Sequence, residues 1–426
     1  MALLMMAALL ATTQSPLPQP DGRYAVGVRR FELVDTSRKG VADDEPDQPR
    51  ALPAIVWYPA QQSDAPPAPY FTKAEASVEV PALARNFLFE PAEVAGFYTA
   101  RTHAVADAPP ANGHAGFPVV VFSHGYWLYP NQNDGLFEQL ASHGYVVVSI
   151  DHPRDSVDVK LADGRVVTTN PRSDTNKVLF ALVHTLFTAP TDDERVAVLG
   201  RYAELFPASR MGVSLFAWRD DTLFAVQALR SGAVPAPVRA IMATANMNNL
   251  ALSGMSYGGT TAATTCRLIV QCRAVLNLDG DNWEPALFNA DAERPMLLIQ
   301  SDWTTSPIVN GQPADPGFSA FDYGFEPWAQ AGRTGHVQRV RIADVSHMGL
   351  TDLGLFMPGP KAAERFGKAD PARVERIVNA LSLAFLDVHL KHGDEAALDR
   401  VIEHTPGVFA HDPEHVRRWA ASRSRR

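Results

Sequence analysis

Cysteine is almost absent: Cys266 and Cys272 are the only two in a chain of 426 residues. Two cysteines cannot build the disulfide framework of a small secreted scaffold. They can pair with each other in an oxidising compartment or stand as buried free thiols. Neither falls in a metal-ligand spacing, and the 13 histidines form no H-x-x-x-H cluster with an adjoining acid, so neither a metal nor another cofactor is expected. Basic charge is also short. The 38 Lys and Arg against 47 Asp and Glu leave a net charge of −9 and no basic stripe to meet phosphates, which argues against nucleic acid as a partner. The one concentrated basic run, "RRWAASRSRR", ends the chain and reads as a solvated tail. No internal apolar run approaches the ~20 residues of a transmembrane segment.

What is present is ample material for a core. The chain is 46% hydrophobic and 20% charged, too apolar for disorder. Its first residues, "MALLMMAALLATTQSPLPQP", run from an apolar stretch to small and polar residues. That shape suits an export signal, although the basic start of such a signal is missing. Residues 1–20 are therefore expected to be a leader, directing the protein to a secreted or periplasmic location; the alternative is a flexible terminus on a cytoplasmic protein.

Periodicity then organises the chain. "AVGVRRFELVD" and "ALPAIVWYPA" alternate apolar and polar residues around a charged loop and predict an antiparallel strand pair. Residues 61–116, rich in Pro and Ala, read as a loop-and-helix excursion. "PVVVF", "NDGLFEQLASHG" and "YVVVSI" give a strand, a helix and a strand within about 35 residues, a βαβ unit and hence a parallel sheet. Residues 155–217 hold two amphipathic segments that predict a helical insertion. "RDDTLFAVQALRSG" predicts a further helix, "NLALSG" a strand and "GTTAATTCRL" the helix after it. "CRAVLNLD", "RPMLLIQSD" and "QRVRIADVSH" predict three more strands. "ARVERIVNALSLAFLDVHL" places Val374, Ile377, Val378, Leu381, Phe385 and Val388 on one face of a terminal helix. The pattern is that of one doubly wound α/β domain over 21–400, with a tail over 401–426.

Within this frame Gly254-Met255-Ser256-Tyr257-Gly258 sits between a buried strand and a helix. A sharp strand-to-helix turn crowds the backbone two positions either side of the serine, and glycine relieves that crowding. The helix that follows offers unpaired N–H groups to a developing oxyanion. A serine hydroxyl needs a base, and the base an acid to orient it. His347, after the last of these strands, is the candidate base. Asp279 in "VLNLDG" and Asp302 in "LLIQSD" both end strands between Ser256 and His347, so both are candidate acids; Asp281 lies two residues further into the loop. The backbone N–H groups of Tyr126, in "FSHGYW", and Tyr257 are the candidate oxyanion donors. Trp127 and Trp283 are candidates to line the substrate pocket, beside Tyr126 and Tyr257.

At these residues the sequence resembles the type II (plasma and intracellular) platelet-activating factor acetylhydrolase family, serine esterases of the α/β-hydrolase fold. The resemblance is carried by "VVVFSHG", "LASHGYVVVSIDH", "GMSYGG", "LNLDG" and "VSHMGLTD", in order from about residue 118 to 353. It implies an α/β-hydrolase fold with N-terminal antiparallel strands and a helical insertion. It also implies Ser256 as nucleophile, Asp279 rather than Asp302 as acid, His347 as base, and Tyr126 and Tyr257 N–H as the oxyanion hole. Met255 departs from the histidine that often precedes the family's nucleophile, which bears on substrate preference more than on chemistry. Polyester-degrading and dienelactone-hydrolase-like enzymes share parts of the pattern.

The expected function is hydrolysis of a small-molecule or lipid-like carboxylic ester, without a metal, through an acyl-enzyme. An amidase, peptidase or acyltransferase on the same three residues is the rival chemistry, and a non-catalytic module on a hydrolase scaffold the remaining one. Oligomeric state does not follow from the sequence.

Overall fold

Runs such as "PVVVF" and "YVVVSI" put apolar side chains on both faces of a strand, and such a strand needs both faces covered. The computed structural model describes residues 15–40, 47–112, 116–171, 174–280, 284–285, 293–303, 322–325 and 337–423, and meets this demand with one sheet of eleven strands. The expected leader, up to residue 14, lies outside the described residues.

β1 (Ala25–Lys39) and β2 (Pro49–Ala60) form the antiparallel pair, with Asp35 opposite Arg50. β3 (Pro67–Pro69), α1 (Lys73–Phe87) and β4 (Arg101–Ala106) follow. β5 (Phe117–Ser123), α2 (Asp134–Ser142) and β6 (Val146–Ile150) make the βαβ unit, its strands parallel and in register from Val119 opposite Val146. The short ribbon of β7 (Val159–Lys160) and β8 (Val166–Val167) leads into α3 (Asp174–Thr188), α4 (Asp192–Leu205) and α5 (Arg210–Ser231). Then come α6 (Ala236–Met242), β9 (Ala245–Met255), α7 (Tyr257–Cys266), β10 (Cys272–Leu278), β11 (Met296–Gln300) and β12 (Val337–Ile342). α8 (Pro371–Lys391), α9 (Ala397–His404), β13 (Val408–Ala410) and α10 (Glu414–Arg423) complete the chain.

The sheet order is β13-β12-β11-β10-β9-β5-β6-β2-β1-β4-β3. The stretch from β12 to β6 is parallel throughout, and β2 joins it antiparallel. On β5, Val120 and Phe122 enter the core covered by α1, α2 and α8, while Val119 and Val121 enter the one covered by α5, α6 and α7. This is the mostly parallel, doubly wound α/β-hydrolase arrangement, with its N-terminal antiparallel strands. No helix among the described residues is long and apolar enough to cross a membrane.

Three expectations need correction. Residues 61–116 are not only loop and helix, because β4 pairs parallel with β1 (Gly27 opposite Val105) and antiparallel with β3, extending the sheet. The helical insertion does not stop at residue 217. One helix, α5, runs through that boundary, started by the Ser209 hydroxyl accepting from Gly212 N–H (3.0 Å) and stopped by Gly232 at φ 74°. The segment expected as a tail over 401–426 carries secondary structure as far as it is described, to residue 423. β13 pairs antiparallel with β12 as an edge strand, and Val416 of α10 packs beside Leu186 and Tyr323. The α8 stripe is buried at Val374, Ile377, Val378, Leu381 and Phe385, with Val388 only half-buried.

The cysteines pair. A Cys266–Cys272 disulfide, with Cα atoms 5.4 Å apart, closes the turn between α7 and β10. It thus joins the helix that begins beside Ser256 to the strand that ends just before Asp279.

Candidate active site

Parallel register brings the ends of β9, β10 and β11 to one edge of the sheet, and backbone bonds stitch their loops together. Ser256 N–H donates to Leu278 O (2.7 Å), Asp279 N–H to Ile299 O (2.8 Å), and Asp302 N–H to Val345 O (2.7 Å). Ser256 sits at φ 55° and ψ −122°, a left-handed conformation that a non-glycine residue adopts only where its surroundings hold it. The flanking glycines are required by space. A Cβ at Gly254 would stand 2.2 Å from the Gly258 carbonyl, and one at Gly258 would stand 2.0 Å from the Ser123 carbonyl oxygen. The turn therefore closes as tightly as the G-x-S-x-G spacing suggests.

Around Ser256 the structure brings together two of the other candidates. His347 Nε2 lies 2.8 Å from Ser256 Oγ, and His347 Nδ1 lies 2.6 Å from Asp279 Oδ2. Asp279 is buried and held by three donors, since Ser301 N–H donates to Oδ1 (2.8 Å) and Ser301 Oγ to Oδ2 (2.6 Å) beside the imidazole. The His347 side chain is 45% exposed, so the imidazole faces solvent while the Asp279 carboxylate does not. Asp302 is turned elsewhere. Its carboxylate accepts from Arg341 Nη1 (2.9 Å) and from Asp344 N–H (2.9 Å), and so braces the turn leading to His347.

The Gly125–Tyr126 peptide runs alongside. A Cβ on Gly125 would stand 3.5 Å from Ser256 Cβ. Gly125 N–H donates to Gln132 Oε1 (2.8 Å), while the Gly125 carbonyl accepts from His124 Nδ1–H (2.7 Å) and Leu128 N–H (2.9 Å). In a trans peptide the carbonyl and the next N–H point in opposite directions. Fixing the Gly125 carbonyl thus fixes the Tyr126 N–H, which finds no acceptor among the described residues. Tyr257 N–H is the first of α7, one of the donors a helix leaves unpaired at its start.

Aromatic rings back this corner. Tyr126 and Tyr257 pack edge-on at 5.3 Å, Trp218 lies 4.9 Å from Tyr257, and the His152 ring stacks on Trp218 at 4.0 Å. The Tyr126 hydroxyl donates to Asp155 Oδ1 (3.2 Å) and that of Tyr257 to the Met211 carbonyl, so both side chains are walls supported by the insertion. Burial holds His152 down at about pKa 4, hence neutral, against the opposing pull of Asp221 at 2.9 Å. Burial would raise Asp221, but the Arg50 fork (3.1 and 2.7 Å) and His152 keep it well below the usual carboxylate range. Trp127 directly follows Tyr126, at φ 65°. Trp283, like Asp281, lies outside the described residues.

Ser301 and Gln132 are supports that sequence reading passed over, whereas His124, expected from the sequence as an anchor of the "FSHGYW" loop, holds the Gly125 carbonyl. Ser301 stands next to Asp302 in a strand-end motif already singled out, and was legible as a hydroxyl at the same sheet edge. Gln132 had no local signal. No group of three or more His, Cys, Asp or Glu side chains suited to a metal occurs among the described residues.

Comparison with known proteins agrees with the fold and the resemblance. The family described as Platelet-activating factor acetylhydrolase, isoform II, matches residues 9–177, a span that holds the Gly125 loop and ends before Ser256. No curated protein sequence matches the chain. Among solved structures the chain is similar to the ferulic acid esterase from Streptomyces cinnamoneus, at 23% identity and a TM-score of 0.66, over 93% of this chain and 99% of that one. The likeness is one of fold, and both comparisons are with ester hydrolases.

Proposed function

We propose that this chain is a serine carboxylic-ester hydrolase working through Ser256, His347 and Asp279. The observation that carries the reading is His347 bridging the other two, 2.8 Å from Ser256 Oγ and 2.6 Å from Asp279 Oδ2. Ser256 Oγ attacks the ester carbonyl carbon as its proton passes to His347 Nε2. Asp279 holds the Nδ1–H and stabilises the imidazolium. The carbonyl oxygen becomes an oxyanion facing Tyr126 and Tyr257 N–H at the start of α7. Collapse breaks the bond to the alcohol oxygen, which takes the proton back from His347. Water, deprotonated by the same imidazole, then attacks the acyl-enzyme and releases the acid with Ser256 restored. Nothing in this sequence of steps calls for a metal.

The substrate class is a small-molecule or lipid-like ester. The Cys266–Cys272 pair fits export to an oxidising compartment. Purified protein assayed on matched esters and amides of one acyl group tests the reading: the ester is expected to turn over, and Ser256→Ala to abolish that turnover. Faster turnover of the amide would move the protein to the amidases, and an active, folded Ser256→Ala would remove the nucleophile.

A further inference from the structure

Beside the Tyr126 loop lies a cavity of about 420 Å³, within the ~300–1,000 Å³ of small-molecule sites. Its walls are Arg85 and Asn86 at the end of α1 with Leu88 just beyond it, Trp127, and the residues that flank the β7–β8 ribbon, Asp158 before it and 168–171 after it. Two links tie it to the reacting side chains. On one side Trp127 is two residues from Gly125, which abuts Ser256. On the other, the Leu88 carbonyl accepts from Arg365 Nη2 (3.5 Å), and the Arg365 carbonyl accepts from the hydroxyl of Ser346 (2.6 Å), the residue before His347.

The walls are built. Arg85 forks onto Asp158 (2.7 and 3.1 Å), Thr169 N–H and Oγ1 donate to the same carboxylate (2.9 and 3.2 Å), and Asn86 Nδ2 donates to Thr169 Oγ1 (3.2 Å). Arg85 and Asp158 cancel, so a charged ligand would meet no free counter-charge. Trp127, Leu88 and Pro171 line it with apolar surface, while Asn86, Asn170 and Thr168, bonded to Thr169 Oγ1, Asp155 Oδ1 and Arg154 Nη1 respectively, keep neutral amide and hydroxyl groups with further bonding capacity. A plain alkyl chain seated there would strip water from those amides and hydroxyls and return nothing. A flat ring with hydroxyls satisfies both kinds of wall, its face on the indole and its edge on the amides.

We propose that this cavity is a subsite of the active site and takes a neutral, hydroxyl-bearing ring of the ester, from a sugar or a hydroxyaryl group. The inference rests on the ester-hydrolase reading above. Its test is the selectivity ratio, kcat/KM for a ring ester over kcat/KM for butyl acetate, with glucose 6-acetate and methyl 3-(4-hydroxyphenyl)propanoate as the two ring esters. Trp127→Ala is expected to lower the ratio for one of them by about tenfold, through KM. Asn86→Leu, which keeps the branched outline and removes the amide, is expected to lower it in the same direction. The ring ester that responds identifies the source. Ratios that stay at the wild-type value in both variants, while butyl acetate is still hydrolysed, would overturn the subsite and leave the ester-hydrolase reading standing. A wild type inactive on all three esters would instead overturn that reading, and the subsite with it.

Discussion

His347 Nδ1 lies 2.6 Å from Asp279 Oδ2, while Asp302, at the end of the next strand, spends its two oxygens on Arg341 and the Asp344 N–H. The two carboxylates are thus separable by experiment. Asp279→Asn is expected to lower kcat on a soluble ester by about 10⁴-fold, because the amide no longer enforces the imidazole tautomer. Asp302→Asn keeps one acceptor for the turn and is expected to cost less than about tenfold, with a lowered Tm. Steady-state kinetics on both variants checks the ranking, and the reverse order would reassign the acid.

The elbow has no room for a methyl group. In Gly258→Ala the new Cβ would meet backbone oxygens of Ser123 and His124 at 2.0 and 2.4 Å, and neither can rotate away. Relief requires moving the end of β5, which carries Gly125 and Tyr126. The expected result is a stability loss of roughly 1–3 kcal/mol, with kcat reduced beyond what partial unfolding explains. Urea unfolding and kinetics on the same preparation separate the two effects.

Strand-end logic made much of this site legible. Ser256, Asp279, Asp302 and His347 each follow an apolar run, and a parallel sheet must bring such ends to one edge. That logic could not choose between the two aspartates, and only the family resemblance favoured Asp279. The choice depends on side-chain direction: Asp302 N–H is drawn to Val345 O, which turns its carboxylate toward Arg341. β13 was illegible for a different reason. Three residues carry no period, and their strand exists only because β12 offers an edge. The continuity of α5 through residue 217 was likewise hidden: Gly232 closes the quoted "RDDTLFAVQALRSG", but the N-cap, Ser209, lies between the segments that predicted helices.

The Cys266–Cys272 bridge closes a short loop with both sulfurs buried. Loop-closure entropy for a ring this small is about 2 kcal/mol. The Cys266→Ser/Cys272→Ser double variant is expected to lose about that much, read as a lower urea midpoint. Adding a reductant should shift the wild-type midpoint toward that of the variant. Identical midpoints with and without reductant would show that the bridge contributes nothing.

A buried acidic cluster gives the stability a pH dependence of known sign. Burial, and then the charge of Glu138, pushes Glu375 of α8 up to about 8; Asp352 is raised well above its ordinary value by burial and then by Glu375, and Asp134 by burial and then by Glu138. The folded protein keeps protons that the unfolded chain releases near pH ~4.3. Stability from these groups is present below that pH and is lost as pH rises toward about 8. Tm measured from pH 5 to 8 should fall in the wild type and fall less in Glu375→Gln. A parallel decline in both proteins would exclude Glu375 as a source.

The central claim is that Ser256 is a nucleophile activated by His347. Covalent labelling by a fluorophosphonate, located by peptide mass spectrometry on the intact protein, tests it most directly. The account predicts a single label on Ser256, none in Ser256→Ala, and labelling slowed by orders of magnitude in His347→Ala. A label on another residue, or ester turnover by a protein that leaves Ser256 unlabelled, would contradict it.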